Sequence, residues 1–261
     1  MRKIDLLRCL VLVGLSASLT FADEWKKSFP VSTRADLRID VTDGSVTVRA
    51  WDRNEIDARV TTQGWKIGPD VRITEHQSGD RIEIEVRTPR INASFGIHST
   101  HVELQVPREL HAEIHSGDGK ITAQGLKGEI HLSTGDGCIE ADSVDGTFEA
   151  KTGDGHIRAS GRWDRLDLET KDGSIEADAR GGSKMAARWR VTTGDGRVTL
   201  RLPDNFTADL DAHTGDGKIT VDFPVTLSGK LGGSEARGKL NGGGETLVVR
   251  TGDGPIHLQR L

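Results

Sequence analysis

The sequence predicts an all-β, solenoid-like protein, and three observations carry that expectation. Asp118, Asp136, Asp154 and Asp172 recur every 18 residues, in Gly-Asp-Gly corners or the near variant Lys171-Asp172-Gly173. Isoleucine follows in register at Ile121, Ile139, Ile157 and Ile175, and alanine at Ala123, Ala141, Ala159 and Ala177. Fixed apolar phases on a period of about 20 residues mark stacked supersecondary units. Within each unit apolar and polar residues alternate, and a period of two belongs to strands.

Each unit holds two such runs. In the first full unit Lys120 to Ala123 is one strand, Gly125 to Gly128 a turn, and Ile130 to Thr134 a second strand. The second run also repeats in phase, through Ile130, Phe148 and Leu166, then Leu132, Ala150 and Leu168, then Thr134, Thr152 and Thr170. Between them stand Glu129, His131, Glu149, Lys151, Asp167 and Glu169, so one side of each strand faces water. An antiparallel meander and a β-solenoid with 18-residue coils both fit this alternation. The solenoid is the expectation, because the segment has no amphipathic helix to cover a one-faced meander, whereas two strands of a coil cover each other. Like residues would then stack at about 4.8 Å per coil, with alanine suiting a narrow interior. A hexapeptide helix is excluded, since steps of six from Ile121 land on Lys127 and Ser133.

The chain begins with a pattern expected of a secretory signal over residues 1 to 22: Arg2, Lys3 and Arg8, an apolar run from Cys9 to Phe21, then Ala22. The run is too short to span a bilayer, and an uncleaved anchor is the alternative. Without these residues the formal charge moves from −5 to −7, a sign that argues against nucleic acid or an anionic membrane as partner. The remaining chain keeps Cys138 alone, so no internal disulfide forms. Cys138 follows a corner where other units carry Lys120, His156 or Ser174, and it reads as filler rather than as a nucleophile.

From residue 23 to 110 the repeat is absent but strands continue. Leu37 to Val41 and Val46 to Ala50 flank the corner Asp43-Gly44; Ile82 to Val86 closes a hairpin through Gly79-Asp80; Val102 to Val106 runs into Pro107. Residues 89 to 101 read as a loop. The expected organisation is a signal peptide over 1–22, an N-terminal β-strand region over 23–110, and a repeat solenoid over 111–261 continuous with it.

These motifs together resemble one known family. Leu37-x-Ile39-x-Val41, the Asp43-Gly44-Ser45 corner, Val46-x-Val48, Trp51-Asp52, the run from Val102 to Pro107 and the ladder of GDG-x-Ile units are similar to the bacterial putative-adhesin domain family. The resemblance implies a β-helical or β-solenoid fold and an extracytoplasmic, periplasmic or secreted, setting. It supplies no catalytic residues and implies a cell-surface or envelope protein, or a glycan, as partner.

The corners raise the question of metal. Eight aspartates occupy them: Asp43, Asp118, Asp136, Asp154, Asp172, Asp195, Asp216 and Asp253. The calcium-binding nonapeptide repeat places its aspartate on a strand in GGxGxDxUx, a pattern missing here. The reading is therefore structural, with Gly44, Gly119, Gly137, Gly155, Gly173, Gly196, Gly217 and Gly254 supplying positive φ and each aspartate accepting hydrogen bonds from its own turn. No cofactor or metal is expected.

An enzyme reading has limited support. Outward Glu140, Asp142, Glu176 and Asp178, interleaved with Arg158, are the nearest approach to the paired carboxylates of a carbohydrate-active β-helix enzyme. His98 and His101 are the closest pair of histidines in sequence, without an HExxH context, and there is no GxSxG or Walker loop. The glycine-rich stretch 229–244 reads as a flexible loop. Later corners loosen to spacings of 23, 21 and 37 residues, the last expected to hold two coils. Trp163 and Trp189 lie near one corner and either close the core edge, the favoured reading, or form an aromatic ligand platform. The chain is thus expected to be a non-enzymatic binding or scaffold module, the alternative being a polysaccharide lyase or hydrolase.

Overall fold

The computed structural model describes residues 22–32, 34–89 and 98–261; most of the expected signal segment and residues 90–97 of the expected loop lie outside these residues, while residues 99–101 of that loop are strand. The described chain is all-β, without a helix. Its strands are β1 (Ala22–Pro30), β2 (Ala35–Val41), β3 (Ser45–Trp51), β4 (Glu55–Gln63), β5 (Arg72–Ser78), β6 (Arg81–Arg87), β7 (Ser99–Pro107) and β8 (Glu109–Ser116). The regular part follows as β9 (Ile121–Gln124), β10 (Lys127–Thr134), β11 (Ile139–Asp142), β12 (Asp145–Thr152), β13 (Ile157–Gly161), β14 (Trp163–Thr170), β15 (Ile175–Ala179), β16 (Trp189–Thr193) and β17 (Val198–Leu202). The last strands are β18 (Ala208–Thr214), β19 (Ile219–Val221), β20 (Val225–Gly232), β21 (Glu235–Leu240), β22 (Thr246–Thr251) and β23 (Ile256–Arg260).

They form two sheets that share one core. Sheet A runs β1-β4-β7-β3-β9-β11-β13-β15-β17-β23-β19, and sheet B runs β5-β6-β2-β8-β10-β12-β14-β16-β22-β18-β21-β20. Each corner carries the chain from a strand of sheet B to one of sheet A, giving a rung of two strands. Neighbouring rungs pair in parallel: Ile121 beside Ile139, Ile139 beside Ile157 and Ile157 beside Ile175 in sheet A, and Ile130 beside Phe148 and Phe148 beside Leu166 in sheet B. The apolar members of each alternation point between the sheets and are buried, including every alanine of the repeat. Antiparallel strands border the stack, β1, β4 and β5 at one end and β20 and β21 at the other.

Sequence order and spatial order part company at both ends. β2 lies between β6 and β8, and β3 between β7 and β9, so the Asp43 rung is seated inside the stack. Likewise β22 and β23 insert between the β16–β17 rung and the β18–β19 rung. The 37-residue interval after Asp216 therefore does not hold two further coils. It holds the hairpin of β20 and β21, then a return into a gap between strands made earlier. Residues 229–240 of the glycine-rich stretch belong to that hairpin, with β21 paired to β18 through Ala212 and Ala236, while residues 241–244 form the turn that leads into β22.

Trp163 and Trp189 are fully buried, so the ligand-platform reading is overturned. They close one edge of the core in a row of rings, Phe148 to Trp163 at 6.1 Å, Trp163 to Trp189 at 6.1 Å, and Trp189 to Phe206 at 5.1 Å between centroids. The inserted residues 180–188 fold over that edge. Lys184 N–H donates to the Trp163 carbonyl at 3.1 Å, and the Ser183 hydroxyl accepts from Trp163 N–H at 3.1 Å.

Candidate functional site

The corners stack in one column, in the spatial order Asp43, Asp118, Asp136, Asp154, Asp172, Asp195, Asp253, Asp216. Their glycines are not there for positive φ. Of the second glycines only Gly44 has it, at 156°; Gly119, Gly137, Gly155, Gly173, Gly196, Gly217 and Gly254 do not. The requirement is close approach: a β-carbon at Gly155 would fall within 3.0 Å of the Gly137 carbonyl oxygen, a separation real side chains do not show. Each of the other six meets the preceding corner in the same way.

Nor do the aspartates hold their turns. All eight are exposed, and none of their carboxylates accepts a hydrogen bond among the described residues. A buried hydroxyl at the start of seven of the eight corners does the holding; the Asp43 corner has Val41 in its place. Thr152 donates to the Gly137 carbonyl at 2.7 Å, Thr170 to Gly155 at 3.0 Å, and Thr193 to Gly173 at 2.7 Å; Ser116, Thr134, Thr251 and Thr214 repeat the bond. Several of the same hydroxyls accept the N–H of their own second glycine, as Thr170 does from Gly173 at 3.2 Å. The corner column is thus an internal ladder that satisfies buried backbone groups, with carboxylates fringing it in solvent.

Outside the core, the two sheet faces carry the polar chemistry. On sheet A the outward residues of β11, β13, β15 and β17 form rows. Lys120 meets Glu140 at 2.7 Å, Arg180 meets Asp142 at 2.9 Å, Arg158 meets Glu176 at 3.0 Å, and Arg201 bridges Glu176 and Asp178 at 2.7 and 2.8 Å. Hydrogen bonds from Ser160 hold the Asp142 carboxyl below its usual range, and those from Arg201 do so for Glu176. Four carboxylates that the sequence brings to one face are therefore each matched by a cation. Beside this face, the Cys138 thiol lies 3.1 Å from His156 Nδ1 on the neighbouring corner.

Sheet B shows what the linear sequence hides. His111 on β8 stands next to Glu129 on β10, and His131, two residues along, stands between Glu113 and Glu149. His111 and His131 face each other edge to face at 5.9 Å. His131 contacts Glu129 and Glu149, each at 3.2 Å, and His111 Nδ1 contacts Asp36 at 3.2 Å. A depression lined by His111, Glu113, His131, Ser133, Glu149 and Lys151 runs beside them. Burial works to raise the Glu149 pKa, but Lys151 and His131 outweigh it and the carboxyl ends below its usual range. Across the next pair of strands burial raises Asp167, whose Oδ1 is buried without a hydrogen-bond partner. The signal for this cluster was present in the 18-residue register, which sets Glu129 beside His111, but the rings meet on a diagonal 20 residues long. His98 and His101, the closest pair in sequence, belong elsewhere: His101 hydrogen-bonds Ser45, and the His98 ring lies tilted against Trp65 with centroids 5.0 Å apart.

A two-sheet, parallel-rung β protein with polar outer faces is the class that this geometry defines. Within it, residues 109–195, about a third of the chain, match the family described as Toastrack DUF4097. No curated protein matches the sequence. Among solved structures the chain is similar to a "putative adhesin" from Parabacteroides merdae, at 10% identity and a TM-score of 0.50, over 92% of this chain and 96% of that one. It is also similar to a "putative cell adhesion protein" from Clostridium sporogenes, at 14% identity and a TM-score of 0.47, over 92% and 100%. At 10% identity the likeness to the Parabacteroides merdae protein speaks for the fold. Among the described residues no helix is long and apolar enough to cross a membrane.

Proposed function

We propose that the chain is an extracytoplasmic, non-enzymatic binding or scaffold module of the adhesin type, built as a β-solenoid on 18-residue coils. The observation that carries this reading is the charge matching on sheet A. A glycoside hydrolase needs one carboxyl kept protonated as acid, and the outward carboxyls there with shifted pKa values, Asp142 and Glu176, are shifted the other way. What remains is a broad, rigid surface of alternating charge, suited to polar recognition. Leu261 is the one exposed large apolar residue among the side chains described, and the charged rows are what sheet A offers a partner. A glycan or a charged envelope protein is the partner class that fits. The extracytoplasmic setting rests on the leader-like pattern of residues 1–22, and the name of the Parabacteroides merdae protein is of the same kind.

A second reading, a carbohydrate-active enzyme, has one observation in its favour. Glu149 and Asp167 are neighbours across β12 and β14, and their pKa values are pushed in opposite directions, as in an acid and base pair. A glycan array run beside a polysaccharide hydrolysis screen separates the two readings. Binding without turnover supports the module; turnover abolished by Asp167→Asn establishes the enzyme instead.

A further inference from the structure

We infer that the outer face of sheet B carries a divalent transition-metal site of the zinc type, with His111, His131 and Glu129 as its protein ligands. One donor atom from each of the three lies within 4.8 Å of the others, and no second such group of three exists among the described residues. The eight corner aspartates, the obvious metal candidates in the sequence, take no part in one.

The surroundings supply an argument independent of proximity. A metal-binding imidazole commonly gives its second nitrogen to a carboxylate, which fixes the tautomer and aims the ring. Both rings here are held in that way. His111 Nδ1 sits 3.2 Å from Asp36 Oδ1 on β2, and His131 Nδ1 sits 3.2 Å from Glu149 Oε2 on β12. With each Nδ1–H donating outward, Nε2 is the lone pair left on both rings. The third ligand is already beside one of them, since His131 Nε2 lies 3.2 Å from Glu129 Oε1. Two strands on either side of β8 and β10 therefore contribute carboxylates that orient ligands they do not touch as ligands themselves.

The donor set selects the metal. Two imidazoles and a carboxylate suit zinc, nickel, cobalt or copper, whereas calcium and magnesium take oxygen. Tetrahedral zinc with bonds of about 2.0 to 2.1 Å brings its donors to about 3.3 Å from one another. The contraction from 4.8 Å is one that side-chain torsions can supply, because His111 and Glu129 are exposed and His131 is partly so. The backbone need not move, since the three residues stand on adjacent paired strands. Three protein ligands leave a fourth position facing solvent, the arrangement of an open rather than a closed zinc site.

The test is isothermal titration of zinc chloride into the metal-free full chain without an affinity tag, with cobalt(II) absorption as a second readout. One equivalent bound at micromolar or tighter dissociation constant is expected, with a tetrahedral cobalt band. His111→Ala and His131→Ala are each expected to abolish it or weaken it more than about tenfold, and Asp36→Asn or Glu149→Gln to weaken it about 10- to 100-fold. His115→Ala, on the same face but bonded to Ser133, is expected to change nothing. Far-UV circular dichroism checks that each variant is folded. Absence of binding up to about 0.1 mM zinc, or stoichiometric binding that survives loss of both histidines, overturns the assignment.

Discussion

One missing β-carbon keeps the corner closed. Gly155 lacks positive φ, so the usual reason for glycine does not apply, and only the Gly137 carbonyl beneath it explains the choice. Gly155→Ala is therefore expected to destabilise by about 1 to 3 kcal/mol or more, as overpacking does. Gly181→Ala, where a β-carbon meets nothing within 4 Å, is expected to stay within about 0.5 kcal/mol. Equal shifts in urea midpoint for the two would remove the close-approach argument. Asp167 makes the opposite kind of prediction. Burial raises its pKa in the folded state, so the carboxyl contributes most when protonated and stability is lost as pH rises through that raised value. Asp167→Asn is accordingly expected to melt above wild type near pH 7, with the gain shrinking near pH 3, where both states carry the proton. A gain that is the same at both pH values would mean that charge is not its source.

The rung is the element that sequence described best. Its two strands, their inward residues and the stacking of isoleucine on isoleucine were all legible from Ile121 to Ala177, because local alternation and tertiary burial ask for the same residues. Ile157→Ala is expected to cost about 2 to 5 kcal/mol, being fully enclosed, while Arg158→Ala, on the exposed side of the same strand, is expected to cost less than about 0.5 kcal/mol. Denaturant melts of the pair check the assignment of faces. Less legible was what holds each corner. Glycine is demanded equally by positive φ and by a neighbouring backbone, so the residue alone could not say which. Threonine at 134, 152 and 170 was visible as a repeat, but its partner is a carbonyl one rung away, which only the stacking register reveals. The histidine cluster was hidden for the same reason: its members lie on separate strands, and no short motif joins them.

For the whole molecule, the ends were the part that sequence concealed. Nothing local in β22 or β23 says that they belong beneath β18 and β19, because a parallel strand of this composition fits any gap with apolar walls. Their position nevertheless decides how the C-terminal part is held. β18 and β19 are joined to the rest of the stack through β22 and β23. Deleting residues 246–261 is expected to release residues 203–245 as well, so that trypsin cuts there rapidly while residues 109–179 resist. Uniform resistance in the shortened chain would contradict the strand order.

That inserted rung also bears on how the protein is made. A ribosome delivers strands in sequence order, and rungs between Ser116 and Leu202 can dock one upon another as they emerge. The next pair, β18 and β19, emerges with its seat not yet synthesised, and must wait, sharing at most the β21 hairpin, until the final strands arrive and slide between. Vectorial folding therefore stops short of completion until residues 246–260 are out, and for that interval the free edges of β16 and β17 are open to any strand that reaches them first.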